Sequence, residues 1–226
     1  MQQPAQSPLL AECLAWADRI ARQADISLIV DSGTLLGLMR DGDLLSWDMD
    51  LDFAVLDRHA AGRLCSALQG IRFQTYRYQG RVYKIAVSQQ EAGLGADIDF
   101  KLFAREGAHW CCPAIRAPGM WGRGRSKSSW LRRMLRPAWT ELMERLDSGR
   151  PPLRWLAQVD SWVVPARFFD SLLPVPGTER CFIPAQAENY LELRYGDWLQ
   201  PVQEWIPCQD DGCYLRLGRK NPSSAA

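Results

Sequence analysis

The sequence feature that most constrains the fold is a strict alternation of acidic and apolar residues near residue 50. Asp48, Asp50 and Asp52 occupy every second position, and apolar side chains separate and follow them over 49–56. A period of two is typical of a half-buried β-strand, because successive side chains point to opposite faces of the sheet. The pattern therefore predicts a strand over 49–56 that directs a row of carboxylates to one face.

A second segment, residues 96–103, repeats this alternation and contains Asp97 and Asp99. If the two strands are neighbours, carboxylates from both converge on one face and form the oxygen-rich site that Mg²⁺ or Mn²⁺ prefers. Because Mg²⁺ binds protein carboxylates together with substrate phosphates, the pattern predicts phosphoryl chemistry. The residues leave one alternative open, a solvated strand face that binds nothing.

Two short features indicate where a phosphate would bind, and a third feature, a cation, lies nearby in the sequence. Gly33 and Thr34 lie between a predicted strand and a short helix, where small residues let the backbone approach an anion at the helix N-terminus. Lys84 lies between apolar residues of another predicted strand, where it either reaches a phosphate or protects a sheet edge from aggregation. Arg40 ends the short helix, where its charge offsets the helix dipole. Gly33, Thr34 and Lys84 are therefore candidate substrate-binding residues.

Periodicity along the rest of the chain predicts an α+β fold in which a mixed β-sheet is flanked by helices. The segment from residue 151 onward is rich in proline and predicts short elements joined by loops. One domain over 1–217, with a disordered tail at 218–226, is the simplest organisation. Besides the two acidic strands, we predict helices at 8–24, 34–40, 58–70 and 137–149, a helix ending in a turn at 187–201, and strands at 26–30, 71–78 and 81–88.

Residues 107–140 form a basic, Trp-rich insertion, since they contain seven arginines and lysines, four tryptophans and no acidic residue. On a helix, Trp130 and Met134 would share an apolar stripe, with Arg132 and Arg133 beside it. Such a helix suits an anionic membrane surface or a phosphate-bearing acceptor. It also suits an ordinary helix packed on the core, and both interpretations stay open.

Composition excludes several classes of protein. The 226 residues carry a formal net charge of +1, which argues against a general nucleic-acid-binding protein. No apolar run approaches the ~18–20 residues of a membrane-spanning helix, and residues 1–12 lack the features of a secretory signal. Seven irregularly spaced cysteines suit reduced thiols. We therefore expect a cytoplasmic protein, peripheral at the inner membrane face if 107–140 binds lipid.

The run SGTLLGLMRDGDLLSWDMDLD, residues 32–52, resembles the signature of the LicD/fukutin family. That signature reads approximately S-G-T-L-L-G-x-x-R-x-x-G-x-x-x-W-D-x-D-x-D. The chain departs from the family at Asp43 and Ser46, where Gly and Pro are usual, and these positions belong to the turn before the acidic strand. Arg40 matches a family position, which favours a role in donor binding.

A later segment is similar to a second family strand, written H-x-D-h-F/W-P. In DIDFKLF, residues 97–103, Asp99 matches the carboxylate and Asp97 stands in place of the histidine. Lys101 and Leu102 replace the aromatic–proline ending. The match supports Asp99 as the carboxylate that joins those of the first acidic strand.

The resemblance implies the nucleotidyltransferase, or polymerase-beta-like, fold and a metal-dependent phosphotransferase. Such an enzyme moves a phospho-alcohol from a CDP-activated donor, such as CDP-choline or CDP-ribitol, to a sugar hydroxyl in glycan decoration. By matching positions, Asp50, Asp52 and Asp99 would bind Mg²⁺ or Mn²⁺, and Asp48 would be a ligand or an orienting carboxylate. Asp99 or Asp48 would take the proton of the sugar hydroxyl, and Gly33 and Thr34 would face the donor phosphates.

Two other activities stay open. A nucleotidyltransferase that moves NMP from NTP to a small hydroxylated acceptor would use the same metal site and differ only in which phosphorus is attacked. A nucleotide- or glycan-binding module of the same fold would bind without turnover. The acidic residues present at every motif position favour an enzyme.

Overall fold

Helices and strands are interspersed along the chain in the computed structural model, which describes residues 5–46, 50–57, 59–116, 158–202 and 205–216. The helices are α1 (Pro8–Ala24), α2 (Ser32–Arg40), α3 (Ala60–Ala67), α4 (Gln89–Ala92), α5 (Ala187–Tyr195) and α6 (Pro207–Asp210), with a 3-10 helix at Ala166–Phe168. The strands are β1 (Leu28–Val30), β2 (Asp50–Val55), β3 (Gln74–Tyr78), β4 (Arg81–Val87), β5 (Asp97–Leu102), β6 (Ala104–Glu106), β7 (His109–Arg116), β8 (Gln158–Pro165), β9 (Leu172–Pro174), β10 (Cys181–Pro184) and β11 (Tyr214–Leu215).

Seven strands form a mixed sheet in the order β3-β4-β5-β2-β1-β10-β9. β2 and β5 are parallel, as are β1 and β10, while the other neighbours are antiparallel. Helix α1 packs against α3 and against β10. The predicted α+β class, with a mixed sheet flanked by helices, is therefore confirmed.

The pairing of β2 with β5 is fixed by the apolar face of the sheet. Phe53 and Phe100 are Cα partners in this parallel pair, and their stacked rings have centroids 5.9 Å apart. Both rings are fully buried, as are Leu51 and Ile98 beside them. Because a shift of one residue would turn these side chains to the polar face, the apolar contacts set which acidic residues lie side by side.

A second, antiparallel sheet has the order β11-β8-β7-β6. In the segment after residue 151, which was predicted to contain short elements joined by loops, residues 158–165 form strand β8, which pairs along its whole length with β7. Likewise 109–116, predicted as part of the Trp-rich insertion, is strand β7. These strands are stabilised by pairing between distant segments, which local periodicity does not reveal. The rest of the insertion, 117–140, lies outside the described residues.

Helix α1 has the bounds that the sequence predicts. Ser7 caps its N-terminus by accepting a hydrogen bond from the backbone N–H of Leu10, and Pro8 occupies the first helical position. Asp25 ends the helix in a left-handed conformation with a φ of 48°. The residues at both ends of α1 therefore account for its two bounds.

Other boundaries differ by a few residues. Helix α2 begins at Ser32 rather than at Thr34, so the predicted turn is the first turn of the helix. Helix α5 ends at Tyr195, where Gly196 adopts a positive φ of 66°. The predicted helix at 137–149 and the predicted disordered tail at 218–226 lie outside the described residues.

Two further findings concern membrane-spanning helices and disulfide bonds. Within the described ranges, no helix combines the length and the apolar character that crossing a bilayer requires. All seven cysteines lie within those ranges, and none of them forms a disulfide bond. The second observation agrees with the reduced thiols expected from their irregular spacing.

Candidate functional site

The two acidic strands lie side by side as a parallel pair. Asp52 is the Cα partner of Asp99, and Asp50 is the Cα partner of Asp97. In a parallel pair, partner residues face the same side, so all four side chains project from the polar face of the sheet. Asp50 is exposed, whereas Asp52 and Asp99 are largely buried. The inner pair, Asp52 and Asp99, is therefore the centre of the candidate site.

Each inner carboxylate forms an ion pair with a lysine from the same face. Lys84 of β4 pairs with Asp99 Oδ2, and Lys101 of β5 lies 2.9 Å from Asp52 Oδ1. The two lysines are themselves Cα partners in the antiparallel pair of β4 with β5. Two positive and two negative side chains thus alternate over three neighbouring strands. The sequence pointed to Lys84 but not to Lys101.

The ion pairs shift the pKa values of these groups in defined directions. Burial, the largest influence, raises the pKa of Asp99; Lys84 opposes this shift and the nearby charge of Asp52 adds to it. Burial disfavours the charged form of both lysines, but the surrounding carboxylates outweigh burial and raise the pKa of Lys84 and of Lys101. Both lysines are therefore cationic at neutral pH.

Thr34 connects α2 to the backbone of the acidic strand. The Thr34 hydroxyl donates to the carbonyl oxygen of Asp50 over 3.2 Å and accepts from the backbone N–H of Asp52 over 2.8 Å. The backbone N–H of Asp31 donates to the carbonyl of Asp52 over 3.0 Å. These bonds begin where the pairing of β1 with β2 ends at Val30, so they take the place of a strand partner. Thr34 is buried and holds the strand, and its hydroxyl is committed to that contact.

Replacing Thr34 by Val keeps the shape of the side chain and removes its hydroxyl. The N–H of Asp52 then lacks its partner, so we expect the free energy of unfolding to fall by about 1–3 kcal/mol. Urea titration followed by circular dichroism measures the change. Thr34→Ser keeps the hydroxyl and serves as the matched control. A Val variant as stable as the natural protein would contradict this role.

Ser32 has an unusual backbone conformation at the start of α2. Its φ is +53°, in the left-handed region that non-glycine residues rarely adopt. Such a conformation costs about 1 kcal/mol or more and tends to occur near functional sites. It accompanies two contacts of the Ser32 hydroxyl, which accepts hydrogen bonds from Lys101 over 3.2 Å and from Arg194 over 3.1 Å. The Ser32 hydroxyl thus connects Lys101 to the buried Arg194.

Arg194 of α5 is the centre of a buried charge network behind the site. Its guanidinium pairs with Asp31 at 2.7 Å and with Asp211 at 2.6 Å, and all three side chains are 2% exposed. Tyr190 donates to the same oxygen of Asp31 over 2.7 Å. Burial would raise the pKa of Asp31, but the positive charges of Arg194 and Lys101 and the Tyr190 hydroxyl hold it below its ordinary value.

The network is closed on one side by an aromatic ring from the second sheet. The ring centroid of Trp162 in β8 lies 5.5 Å from Lys101 Nζ and 5.1 Å from the guanidinium carbon of Arg194. Tyr214 of β11 contacts the same ring edge-to-face, with centroids 4.8 Å apart. The second sheet therefore supplies cation–π contacts to the two cations that support Asp52 and Asp31.

The loop that leads toward the acidic strand is fixed against α1 and α2. Ser7 donates from its hydroxyl to Asp43 and from its backbone to the carbonyl of Gly42. A Cβ at Gly37 would lie 2.3 Å from the carbonyl oxygen of Asp43, so only glycine permits this approach. Asp43, which departs from the family pattern, thus replaces the usual glycine with a side chain that anchors the loop.

The remaining predicted site residues have the following positions. Gly33 is the second residue of α2, next to Ser32. Arg40 lies at the opposite end of that helix, where its guanidinium forms a bidentate pair with Asp41. Asp97 accepts a hydrogen bond over 2.7 Å from the backbone N–H of Gln89, the first residue of α4. Asp48 lies outside the described residues.

The acidic strands offer carboxylate oxygens as ligands for a metal ion. Within the described ranges, no three acidic, histidine or cysteine side chains lie close enough together to hold one. Asp52 and Asp99 contribute two carboxylates in register, and Asp50 follows on the same face. The chemistry of these oxygens fits a hard divalent cation, while their present partners are lysines.

Lys101 and the buried residues that support the site were not predicted from the sequence. Lys101 has a signal in the sequence, because it continues the alternation that places Asp97 and Asp99 on the polar face. Tyr190 and Arg194 have the i, i+4 spacing of one helix face, but this spacing alone does not indicate a buried network. Trp162 belongs to a strand whose partner is distant in sequence, so no local pattern identifies it.

One comparison with known proteins identifies a family. A model of the LicD/FKTN/FKRP nucleotidyltransferase domain matches residues 25–137, half of the 226-residue chain. The match contains α2, both acidic strands and the two lysines. No curated relative matches the chain.

Proposed function

Because the chain belongs to the LicD/FKTN/FKRP nucleotidyltransferase-domain family, we propose that it is a metal-dependent phosphotransferase with the nucleotidyltransferase fold. Membership of the family indicates a transferase that modifies glycans. In our proposal, the donor is a CDP-activated alcohol, such as CDP-choline or CDP-ribitol, and the acceptor is a sugar hydroxyl. The observation that carries the proposal is the register of Asp52 with Asp99 on one polar face.

Asp50, Asp52 and Asp99 are the residues that would hold Mg²⁺ or Mn²⁺, with Asp48 as a further ligand or an orienting carboxylate. Their oxygens are the ligands that these ions prefer. When bound, such an ion neutralises the donor diphosphate and the charge that develops on the leaving nucleotide. The stacking of Phe53 on Phe100 and the hydrogen bonds of the Thr34 hydroxyl hold the backbone of the two acidic strands in place.

The chain's own residues would bind the phosphates and move one proton. Lys84 and the backbone of Gly33 would contact the donor phosphates, while Thr34 acts through the strand that it holds. Arg40, whose guanidinium pairs with Asp41 at the C-terminal end of α2, stays a candidate donor-binding residue.

In the reaction, the acceptor hydroxyl oxygen forms a bond to the phosphorus that carries the alcohol. Its proton passes to a carboxylate, Asp99 or Asp48, and the bond between that phosphorus and the CMP oxygen breaks. CMP is therefore the second product.

The product released from the nucleotide tests the proposed reaction. We expect CMP from CDP-ribitol or CDP-choline in the presence of a sugar acceptor and Mg²⁺, because the phosphorus distal to cytidine is attacked. Chromatography separates CMP from pyrophosphate. Omitting the metal, with EDTA present, is expected to lower CMP release at least about 100-fold. Pyrophosphate from CTP, without CMP from any CDP-alcohol, would instead support nucleotide transfer.

A thermal-shift series distinguishes an enzyme from a binding module. A CDP-alcohol at 100 times its dissociation constant should stabilise the folded state by about 2.7 kcal/mol through mass action. Stabilisation without release of CMP or pyrophosphate, for every acceptor supplied, would support a module that binds but does not turn over. No stabilisation by any cytidine nucleotide would contradict the proposed donor class.

A further inference from the structure

The two lysines of the site are held to different extents. Lys101 Nζ contacts Asp52 and the Ser32 hydroxyl and lies against the ring of Trp162, and its side chain is 13% exposed. Lys84 pairs with Asp99 and lies 5.3 Å from the ring centroid of Tyr76, and its side chain is 27% exposed. Lys101 therefore has three contacts, whereas Lys84 has two and a larger solvent-exposed part.

A divalent cation at this face would meet a competitor. Mg²⁺ and Mn²⁺ bind carboxylate oxygens at about 2.1 Å, and Asp99 Oδ2 already carries the Lys84 ammonium. Two cations cannot share this oxygen without strong repulsion. The ammonium of Lys84 is carried on a flexible side chain of four carbons. It can therefore move away from the carboxylate and still remain beside the site.

We propose that Lys84 exchanges partners, pairing with Asp99 until a divalent cation binds there and then pairing with a phosphate of the nucleotide donor. This inference rests on the proposed function, because it requires a cation at Asp52 and Asp99. Lys84 then has two roles, because the same side chain opposes the metal and attracts the donor.

The exchange couples the two ligands. A cation that binds alone must release the ammonium of Lys84 from its counter-charge, and a bound diphosphate supplies a new one. Each ligand therefore raises the affinity for the other, and by linkage the factor is the same in both directions. Lys101 does not take part, because its three contacts hold it beside Asp52.

Lys84→Met tests the exchange, because Met keeps the apolar stem and removes the ammonium. The variant is expected to bind Mn²⁺ alone roughly tenfold more tightly than the natural protein, since the competitor is gone. At saturating Mn²⁺, its affinity for CDP is expected to fall roughly tenfold, since a phosphate contact is gone. Electron paramagnetic resonance of free Mn²⁺ measures the first affinity, and isothermal titration calorimetry measures the second.

Two further variants separate the possible results. Arg81→Met removes one positive charge from an exposed position of the same strand and is expected to leave both affinities within twofold. Asp52→Asn should weaken Mn²⁺ binding at least tenfold in the natural background. Circular dichroism confirms that each variant is folded.

Opposite changes in the two affinities of Lys84→Met support the exchange. Unchanged or weaker Mn²⁺ binding by Lys84→Met overturns it, and if Asp52→Asn still weakens Mn²⁺ binding, the proposed function stands. If neither the natural protein nor Lys84→Met binds Mn²⁺, or if Asp52→Asn binds it normally, both the exchange and the proposed metal site are overturned.

Discussion

Substitution of Asp52 by Asn is expected to lower the rate of CMP release at least about 10³-fold, which corresponds to about 4 kcal/mol of transition-state stabilisation. Asn has nearly the same size as Asp, so the packing of β2 against β5 is kept. Its neutral amide cannot balance a divalent cation or the ammonium of Lys101, which lies 2.9 Å from the carboxylate. Release of CMP from a saturating CDP-alcohol measures the effect.

Asp97→Asn is the matched control for this result. Asp97 lies on the same sheet face and is the partner of Asp50, but its carboxylate accepts a hydrogen bond from the backbone of Gln89. The amide oxygen of Asn can accept the same bond, so we expect the rate to stay within about threefold. Equal losses in the two variants, or more than a tenth of the activity left in Asp52→Asn, would contradict the assigned site.

Local periodicity was sufficient to predict the two strands that form the site. The alternation around Asp52 and Asp99 specifies both the strand conformation and the face on which the carboxylates lie. The register between the strands follows from a contact that the pattern contains only implicitly, the stacking of Phe53 on Phe100. Once two alternating strands are neighbours and parallel, few registers bury both rings.

Pairing between distant segments could not be predicted in the same way. Leu28 of β1 is the parallel partner of Cys181 in β10, and the second sheet joins β7 to β8 across the residues between them. Short strands such as β10 have little intrinsic preference and form because a neighbour offers hydrogen bonds. The sequence before Pro184 therefore reads as a loop until its partner is known.

The buried residues behind the site could not be predicted from the sequence for a related reason. Arg194 appears in the sequence as an ordinary helix residue, yet α5 places it between Asp31, which precedes α2, and Asp211, which follows α6. The network runs from Asp211 through Arg194 and the Ser32 hydroxyl to Lys101, which pairs with Asp52. A residue near the C-terminal part of the fold thus contributes to the position of a carboxylate near residue 50.

Arg194→Met is expected to lower the free energy of unfolding by about 3–5 kcal/mol, because it leaves two buried carboxylates without their counter-charge. Met has a similar length and fills much of the same volume, so lost packing contributes little. The side chains of Arg194, Asp31 and Asp211 are all 2% exposed, and water therefore cannot replace the missing guanidinium. Urea or thermal unfolding of the purified variant measures the change.

Two comparisons show whether the loss comes from charge. Arg72→Met breaks an ion pair with Glu91 in which the Arg72 side chain is 87% exposed, and such pairs contribute about 0–1 kcal/mol. The triple variant Arg194→Met, Asp31→Asn, Asp211→Asn removes all the charges of the network. It should recover at least half of the stability lost in Arg194→Met, since the neutral amides can still accept from Tyr190 and from the backbone N–H of Cys213. A triple variant less stable than Arg194→Met would show that packing around the guanidinium, rather than its charge, stabilises this part of the fold.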